Sequence, residues 1–261
     1  MLSVTELLIL GPALLAGLLV LATHVPLGRM VLDRGIVFID LAIAQVAGLG
    51  VVLADGLGWE PNAWSVQASA MSAALLAAAF LVWTERHWPH VQEAIIGVVF
   101  VVAASAEIIV FSFNPHGAEH LKDLLAGQII WVTNGQLIAA AVSTLLVLVI
   151  AARFDLTKRR VLFHALFAVS ITTSVQLIGV FLVFASLIIP ALAAQGTRRP
   201  LLAGHAVGVA GYVLGLVASA ILDLPSGAAI VCALAATAIC AGSVRLSIVR
   251  ARHAPGPSQQ S

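Results

Sequence analysis

Residues 161–194 read VLFHALFAVSITTSVQLIGVFLVFASLIIPALAA, and this stretch decides how the chain is interpreted. The run is almost entirely apolar, yet it is too long for one ordinary membrane-spanning helix, which needs about 20 residues. A polar patch from Ser170 to Gln176 interrupts it, and Gly179 follows. The pattern predicts two short helices with a break near Gly179. One span followed by a re-entrant segment is the alternative.

The same apolar character extends over all 261 residues, of which 61% are hydrophobic and 10% are charged. An ordinary soluble domain carries about 25% charged residues. A soluble chain of this length could not bury so much apolar surface, because most of a globular protein's surface still faces water. The composition therefore argues against a soluble enzyme domain, a disordered protein and a nucleic-acid binder. It predicts that a lipid bilayer surrounds the chain.

The hydropathy pattern predicts an all-α, polytopic membrane protein with about nine transmembrane helices, or eight if 161–194 crosses only once. The apolar stretches that carry this prediction lie near 7–23, 36–54, 66–84, 94–113, 132–152, 161–176, 178–194, 201–222 and 227–249. Residues 1–252 are predicted to form a single transmembrane domain. The polar, Pro- and Gly-rich tail at 253–261 is predicted to be disordered and cytoplasmic.

The basic residues predict the orientation. Twelve of the 13 lie on one side of the nine-span map, and Lys122 is the exception. Cytoplasmic loops carry an excess of Lys and Arg, so we predict the N-terminus outside and the C-terminus in the cytoplasm. This split requires 161–194 to cross twice. The twelve residues are Arg29, Arg34, Arg86, Arg153, Lys158, Arg159, Arg160, Arg198, Arg199, Arg245, Arg250 and Arg252.

Asp40 and Glu107 are the two acidic residues that fall within predicted spans. An ionisable group in a span is energetically expensive, so each is a hypothesis about function. Asp40 could line a cation path, or it could be an interfacial carboxylate that caps the helix or pairs with Arg34. Glu107 could line the path, or it could be a neutral carboxylic acid between helices, because burial disfavours the charged form. Gln176 is a further polar residue near the predicted break.

The predicted outer loop contains His116, Glu119 and His120, which have the H-x-x-E-H spacing of inverted zincins. Two His residues four positions apart share a helix face and could hold a metal with a carboxylate nearby. A protease is not favoured, because the chain has no soluble catalytic domain. Metal capture at the outer mouth is a second interpretation. A solvated, partly helical loop is the favoured one.

Four segments, in order, resemble the integral membrane permease subunits of ABC transporters for zinc, manganese or iron. They are RGIVFIDLAIAQVAGLGVVLA at 34–54, EAIIGVVFVVAA at 93–104, GAEHLKDLLAGQIIWVT at 117–133 and SVQLIGVFLVFASLIIPALAA at 174–194. The resemblance covers most of residues 36–194. It implies a multi-pass permease subunit in the bacterial inner membrane that works as a homodimer. It also implies two partners: a cytoplasmic ABC ATPase and an extracytoplasmic metal-binding protein.

The resemblance also implies site residues. Asp40 occupies the position of an Asp on the family's metal path, and the transported divalent metal would be zinc, manganese or iron, with no permanently bound cofactor. Asp40, His116, Glu119 and His120 are the predicted metal-contacting residues, and Asp40, Glu107 and Gln176 are predicted to line the transport pathway. The ATPase is predicted to dock on the segment containing Phe154, Asp155, Lys158, Arg159 and Arg160. Simple positive-inside anchoring is the alternative, and the favoured one, for the basic cluster Lys158, Arg159 and Arg160.

The chain departs from the family pattern at two places. Ala44 stands where the family has a His four residues after the Asp, and Gly48 stands where a Pro is usual. In addition, about ten residues are missing from the docking segment after Asp155. These departures make a metal chelate or a different cation more plausible as substrate, and they raise the question of weak coupling to an ATPase.

The leading functional prediction is the membrane subunit of an ATP-driven importer of a divalent metal or a metal chelate. The chain contains no G-x-x-x-x-G-K-[ST] motif, so ATP hydrolysis is expected on a separate subunit. We keep two alternatives: a secondary cation transporter that works without an ATPase, and a degenerate permease paralogue with weak coupling.

Overall fold

The computed structural model describes residues 4–56, 64–111 and 129–253. Over these ranges the chain forms α-helices and two short 3-10 turns, with no strand. The helices, numbered here in chain order, are α1 (Val4–Arg34), α2 (Ile39–Gly56), α3 (Trp64–His87), α4 (Gln92–Phe111), α5 (Asn134–Arg153), α6 (Arg160–Ile178), α7 (Val180–Ala193), α8 (Pro200–Leu222) and α9 (Ser226–His253).

Seven helices in the described ranges are long and apolar enough to cross a membrane. Helices α2 and α7 are also apolar, but their apolar parts, Ile39–Ala54 and Val180–Ala193, are shorter. Each predicted apolar stretch coincides with one helix, so the all-α, polytopic membrane architecture is confirmed. The side of the membrane on which each terminus lies stays a prediction. Residues 254–261 of the predicted tail lie outside the described residues.

Gly179 breaks the long apolar run at the predicted place. Helix α6 ends at Ile178, α7 begins at Val180, and Gly179 between them has φ +80° and ψ 161°. A residue with a Cβ atom rarely adopts this backbone conformation, so the break requires glycine. The 14 residues of α7 span about 21 Å. This is shorter than the roughly 30 Å hydrocarbon core, so α7 alone is too short for a full-length span.

Both ends of the 160–196 segment lie at one end of the bundle, which we call the basic end and define by Arg29 and Arg34. Arg34 donates a hydrogen bond from Nη2 to the carbonyl oxygen of Leu156 (2.8 Å), just before α6. After α7, Gly196 lines a small cavity together with Arg29. The segment therefore enters the bundle and returns, as the predicted loop assignment requires.

Close backbone contacts hold α1, α7 and α8 together. A Cβ added at Gly28 in α1 would collide with the carbonyl oxygen of Leu187 in α7. Tyr212 of α8 is fully buried, and its hydroxyl group shares a 2.8 Å hydrogen bond with Ser186 of α7. In lipid, helices associate through small residues, because these residues let the helix backbones approach closely. These contacts fix the frame that positions the buried polar groups.

Candidate functional site

Glu107 of α4 points at α2, and the sequence of α2 makes room for it. The carboxylate is 1% exposed, and the Nε2 atom of Gln45 donates a hydrogen bond to Glu107 Oε2 at 3.5 Å. A Cβ added at Gly48 would lie only 2.5 Å from Glu107 Oε1. Gln45 and Gly48 are three residues apart and so share one face of the helix. Gln45 therefore supplies a donor, and Gly48 supplies space.

Asp40 lies in the first turn of α2 and is 1% exposed. No side chain among the described residues donates to its carboxylate oxygens, whose nearest donors are the backbone N–H groups of Asp40 and Leu41. Arg34 does not pair with Asp40. Its guanidinium donates to Leu156 and lies 4.0 Å from the ring centre of Phe163. The interpretation of Asp40 as the partner of Arg34 is therefore wrong. A buried carboxylate that no side chain pairs with is uncommon, which makes Asp40 a candidate for contact with a ligand.

Asp40 and the Gln45–Glu107 pair occupy two levels along α2. Asp40 is five residues before Gln45 and eight before Gly48, which corresponds to about 8–12 Å along the helix axis. The described part of the chain contains no group of three or more His, Cys, Asp or Glu residues placed to hold a metal ion. Asp40 and Glu107 are therefore two separate acidic groups and do not form one metal site. Each could interact weakly with a passing cation.

The remaining predicted site residues are spread over the molecule. Gln176 is half-buried near the end of α6, directly before the break at Gly179. His116, Glu119 and His120 lie outside the described residues. The predicted set therefore does not come together as one site within the ranges that the structure describes.

A second polar group, which the sequence analysis missed, links α1 and α6. His24 is fully buried, and its Nδ1 atom lies 3.1 Å from Thr23 Oγ1. The hydroxyl group of Ser170 donates to the same Thr23 oxygen at 3.1 Å, while His24 Nε2 has no partner among the described residues. The sequence prediction ended the first span at residue 23, one residue before His24, whereas α1 continues to Arg34 and carries His24 into the bundle.

A charged cluster at the basic end was also missed. Glu85 of α3 lies 3.6 Å from Arg160 and 3.7 Å from His164, both on α6. Arg160 was predicted to face an ATPase; its side chain is about half exposed and also pairs with Glu85 of the same chain. The sequence could not predict this pairing, because Glu85 is about 75 residues away from Arg160 along the chain. The cluster joins the start of α6 to the end of α3.

The other predicted docking residues are exposed at the basic end. Asp155 lies 3.5 Å from Lys158, and the guanidinium of Arg159 lies 5.1 Å from the ring centre of Phe154. Hydrogen bonds from Thr157, the hydroxyl group first, lower the pKa of Asp155, and Lys158 acts in the same direction. Beside this segment is an open depression of about 640 Å³ that Phe154, Lys158 and Arg159 help to line. The segment has the exposure and mixed charge of a docking surface.

The sequence profile of the ABC 3 transport family matches residues 6–156 and 153–245. The chain belongs to this family. It is therefore a multi-pass membrane permease of the ABC transporter type, and not itself the ATPase. Among ABC 3 relatives, the chain is 24% identical over 246 residues to the high-affinity zinc uptake system membrane protein ZnuB of Haemophilus influenzae. That alignment covers 85% of this chain and 92% of the relative.

Two solved structures share the fold of this ABC 3 chain. PsaBC from Streptococcus pneumoniae, solved in complex with Fab, superposes with a TM-score of 0.71 at 20% identity, covering 89% of this chain and 90% of the other. An ABC transporter assigned to the metal-chelate type, in an inward-facing conformation, gives a TM-score of 0.65 at 16% identity. That comparison covers 92% of this chain and 85% of the other. At these identities the similarity describes the fold.

Proposed function

We propose that this chain is the membrane-spanning subunit of an ABC importer that moves a divalent metal ion, or a metal chelate, across the bacterial inner membrane. The family match, which covers most of the chain from residue 6 to 245, carries the proposal. Further support comes from a relative of nearly full length that is a zinc uptake protein. We infer that two copies pair around the pathway, that a separate ATPase supplies energy, and that an external protein delivers the metal.

Asp40 and Glu107 are the acidic residues that we assign to the pathway. Asp40 is buried with no side-chain partner among the described residues, and Glu107 is held by a single 3.5 Å hydrogen bond from Gln45. Groups of this kind in a membrane protein mark ion pathways. Ala44 removes the histidine that the family resemblance would place one turn after Asp40. The sparse ligand set is consistent with brief contact with the metal during passage, since the external binding protein would provide selectivity.

The exposed segment from Phe154 to Arg159 is the surface that we assign to the ATPase. Apart from the buried Leu156, its side chains are exposed, and the adjoining depression of about 640 Å³ offers a concave contact. The carbonyl oxygen of Leu156 is bonded to Arg34 of α1. Force applied by a bound ATPase would therefore reach α1 directly, through this hydrogen bond.

Co-purification from native membranes tests this function. A tagged chain should recover an ATPase in stoichiometric amount, and cells that express the untagged chain provide the control. Deleting that ATPase should abolish the metal accumulation that depends on this chain. Recovery of no ATPase, together with accumulation that survives deletion of every candidate ATPase, would instead indicate a secondary transporter.

A further inference from the structure

A groove runs along the side of the bundle between α3 and α6, near the basic end. It has a volume of about 340 Å³, which is within the range of ligand pockets. Its walls are mainly apolar, and three alanines help to line them. The lining residues besides Arg86 are Leu75, Ala78, Ala79, Val82, Trp83 and His87 from α3, and Val161, His164 and Ala165 from α6. Because alanine side chains are short, neither helix fills the space between them.

The mouth of the groove carries a cation that has no partner among the residues that the structure describes. Arg86 lines the groove and is exposed, and it makes no hydrogen bond or ion pair with any residue the structure describes. The nearby Glu85 is already engaged by Arg160 and His164. Arg86 also borders the neighbouring depression, which Lys158 and Arg159 line. The mouth therefore has unbalanced positive charge.

Aromatic residues place this mouth at the depth of lipid headgroups. Trp83 and Trp88 are about half-exposed and lie edge to face, with ring centres 5.1 Å apart. Tryptophan concentrates at membrane–water interfaces. From Arg86 the groove extends along α3 to Leu75, 11 residues earlier, or about 16 Å along the axis. Its apolar part therefore extends into the hydrocarbon region.

We propose that this groove binds an anionic phospholipid, with the phosphate group at Arg86 and an acyl chain along Ala78, Ala79 and Ala165. Basic pockets between helices on the cytoplasmic side of a membrane bind such headgroups. A phospholipid satisfies both halves of the groove: its phosphate group neutralises Arg86, and its chain covers the alanine walls. A water-soluble ATPase would not reach the part that lies at hydrocarbon depth.

Native mass spectrometry of the purified full-length chain tests the proposal. The protein is released from detergent after titration with phosphatidylglycerol or with phosphatidylcholine of the same acyl chains. We expect the wild type to retain about fivefold more phosphatidylglycerol, because only this lipid carries a net negative charge. Arg86→Ala should lower its retention to the phosphatidylcholine level, whereas Arg86→Lys should keep part of the preference. Arg198→Ala removes a charge from a loop outside the groove and should change nothing.

Ala79→Trp fills the groove at an exposed position and should lower retention of both lipids. Equal retention of both lipids by the wild type, or unchanged retention in Arg86→Ala, would overturn the proposal. Displacement of bound phosphatidylglycerol by millimolar inorganic phosphate would identify a free-anion site and would also overturn it. If Ala79→Trp changes the oligomeric mass but not the lipid retention, the groove is an interface between copies, and the proposal is wrong.

Discussion

At the residue scale, the decisive feature is how differently the two buried carboxylates are held. Glu107 accepts a hydrogen bond from Gln45, and the missing side chain of Gly48 gives it room. Asp40 has no side-chain donor among the described residues, and its nearest donors are the backbone N–H groups of Asp40 and Leu41. Burial of a charge is expensive unless it is paired or bound to a cation. Asp40 is therefore the residue whose environment most needs a ligand to complete it.

The first prediction concerns Asp40. Asp40→Asn keeps the shape of the side chain but removes its charge, so we expect metal accumulation to fall about tenfold, equivalent to about 1.4 kcal/mol. The measurement is cellular metal content at equal amounts of membrane-inserted protein. Asp33→Asn is the matched control, because Asp33 is exposed at the basic end and should tolerate the change. Equal accumulation in the Asp40→Asn variant and the wild type would remove Asp40 from the pathway.

At the element scale, glycines decide which helices meet. Gly28 allows the backbone of α1 to approach the Leu187 carbonyl group of α7, and Gly179 allows the chain to turn between α6 and α7. Position 28 needs glycine because a Cβ atom there would clash with α7. Position 179 needs glycine because of its backbone conformation. The sequence analysis identified Gly179 from its place after the polar patch. It did not identify Gly28, because the need for glycine there arises from contact with a distant helix.

The second prediction tests helix packing. Gly28→Ala places a methyl group against a backbone carbonyl that has little freedom to move, so we expect destabilisation of about 1–3 kcal/mol. The apparent melting temperature in detergent should fall. Gly11→Ala is the control on the same helix, because an added Cβ at Gly11 meets nothing within 4 Å. Since alanine is also the better helix former, Gly11→Ala should match or exceed the wild type. Equal melting temperatures for the two variants would contradict the packing.

The third prediction tests the break. Gly179→Ala forces a Cβ into a conformation that is nearly exclusive to glycine, which corresponds to roughly 1–3 kcal/mol of strain. We expect a lower melting temperature and reduced metal accumulation, because α7 would be displaced from α6. Gly97→Ala in α4 provides the comparison, since an added Cβ there meets open space. A variant that keeps both properties of the wild type would show that the turn does not depend on glycine.

At the scale of the whole molecule, the basic end gathers the features that connect the permease to its surroundings. The exposed segment 154–159, the Glu85 cluster and the mouth of the proposed lipid groove all lie there. Arg34 joins this end to α1 through Leu156. A partner bound at this surface would therefore be connected to α1, which is part of the core, through the Arg34–Leu156 hydrogen bond.

The fourth prediction concerns ATPase docking. Reversing two charges in Lys158→Glu/Arg159→Glu should lower the amount of co-purified ATPase at least about fivefold, and metal accumulation should fall with it. Because exposed charges are screened by salt, recovery of the ATPase by the wild type should also decrease as ionic strength rises. Arg198→Glu/Arg199→Glu carries the same charge change in a separate loop and should retain the partner. Full recovery by the Lys158→Glu/Arg159→Glu variant would place docking elsewhere.

By itself, the sequence determined the membrane environment, the helices, the break at Gly179 and the family resemblance. These follow from local hydropathy, from backbone preference and from ordered motifs along the chain. The sequence could not reveal that Gln45 bonds to Glu107, 62 residues away, or that Thr23 meets Ser170. It also suggested a wrong partner for Asp40 and left Arg160 unpaired. Only the tertiary structure decided these contacts, because helix packing determines which faces of distant segments meet.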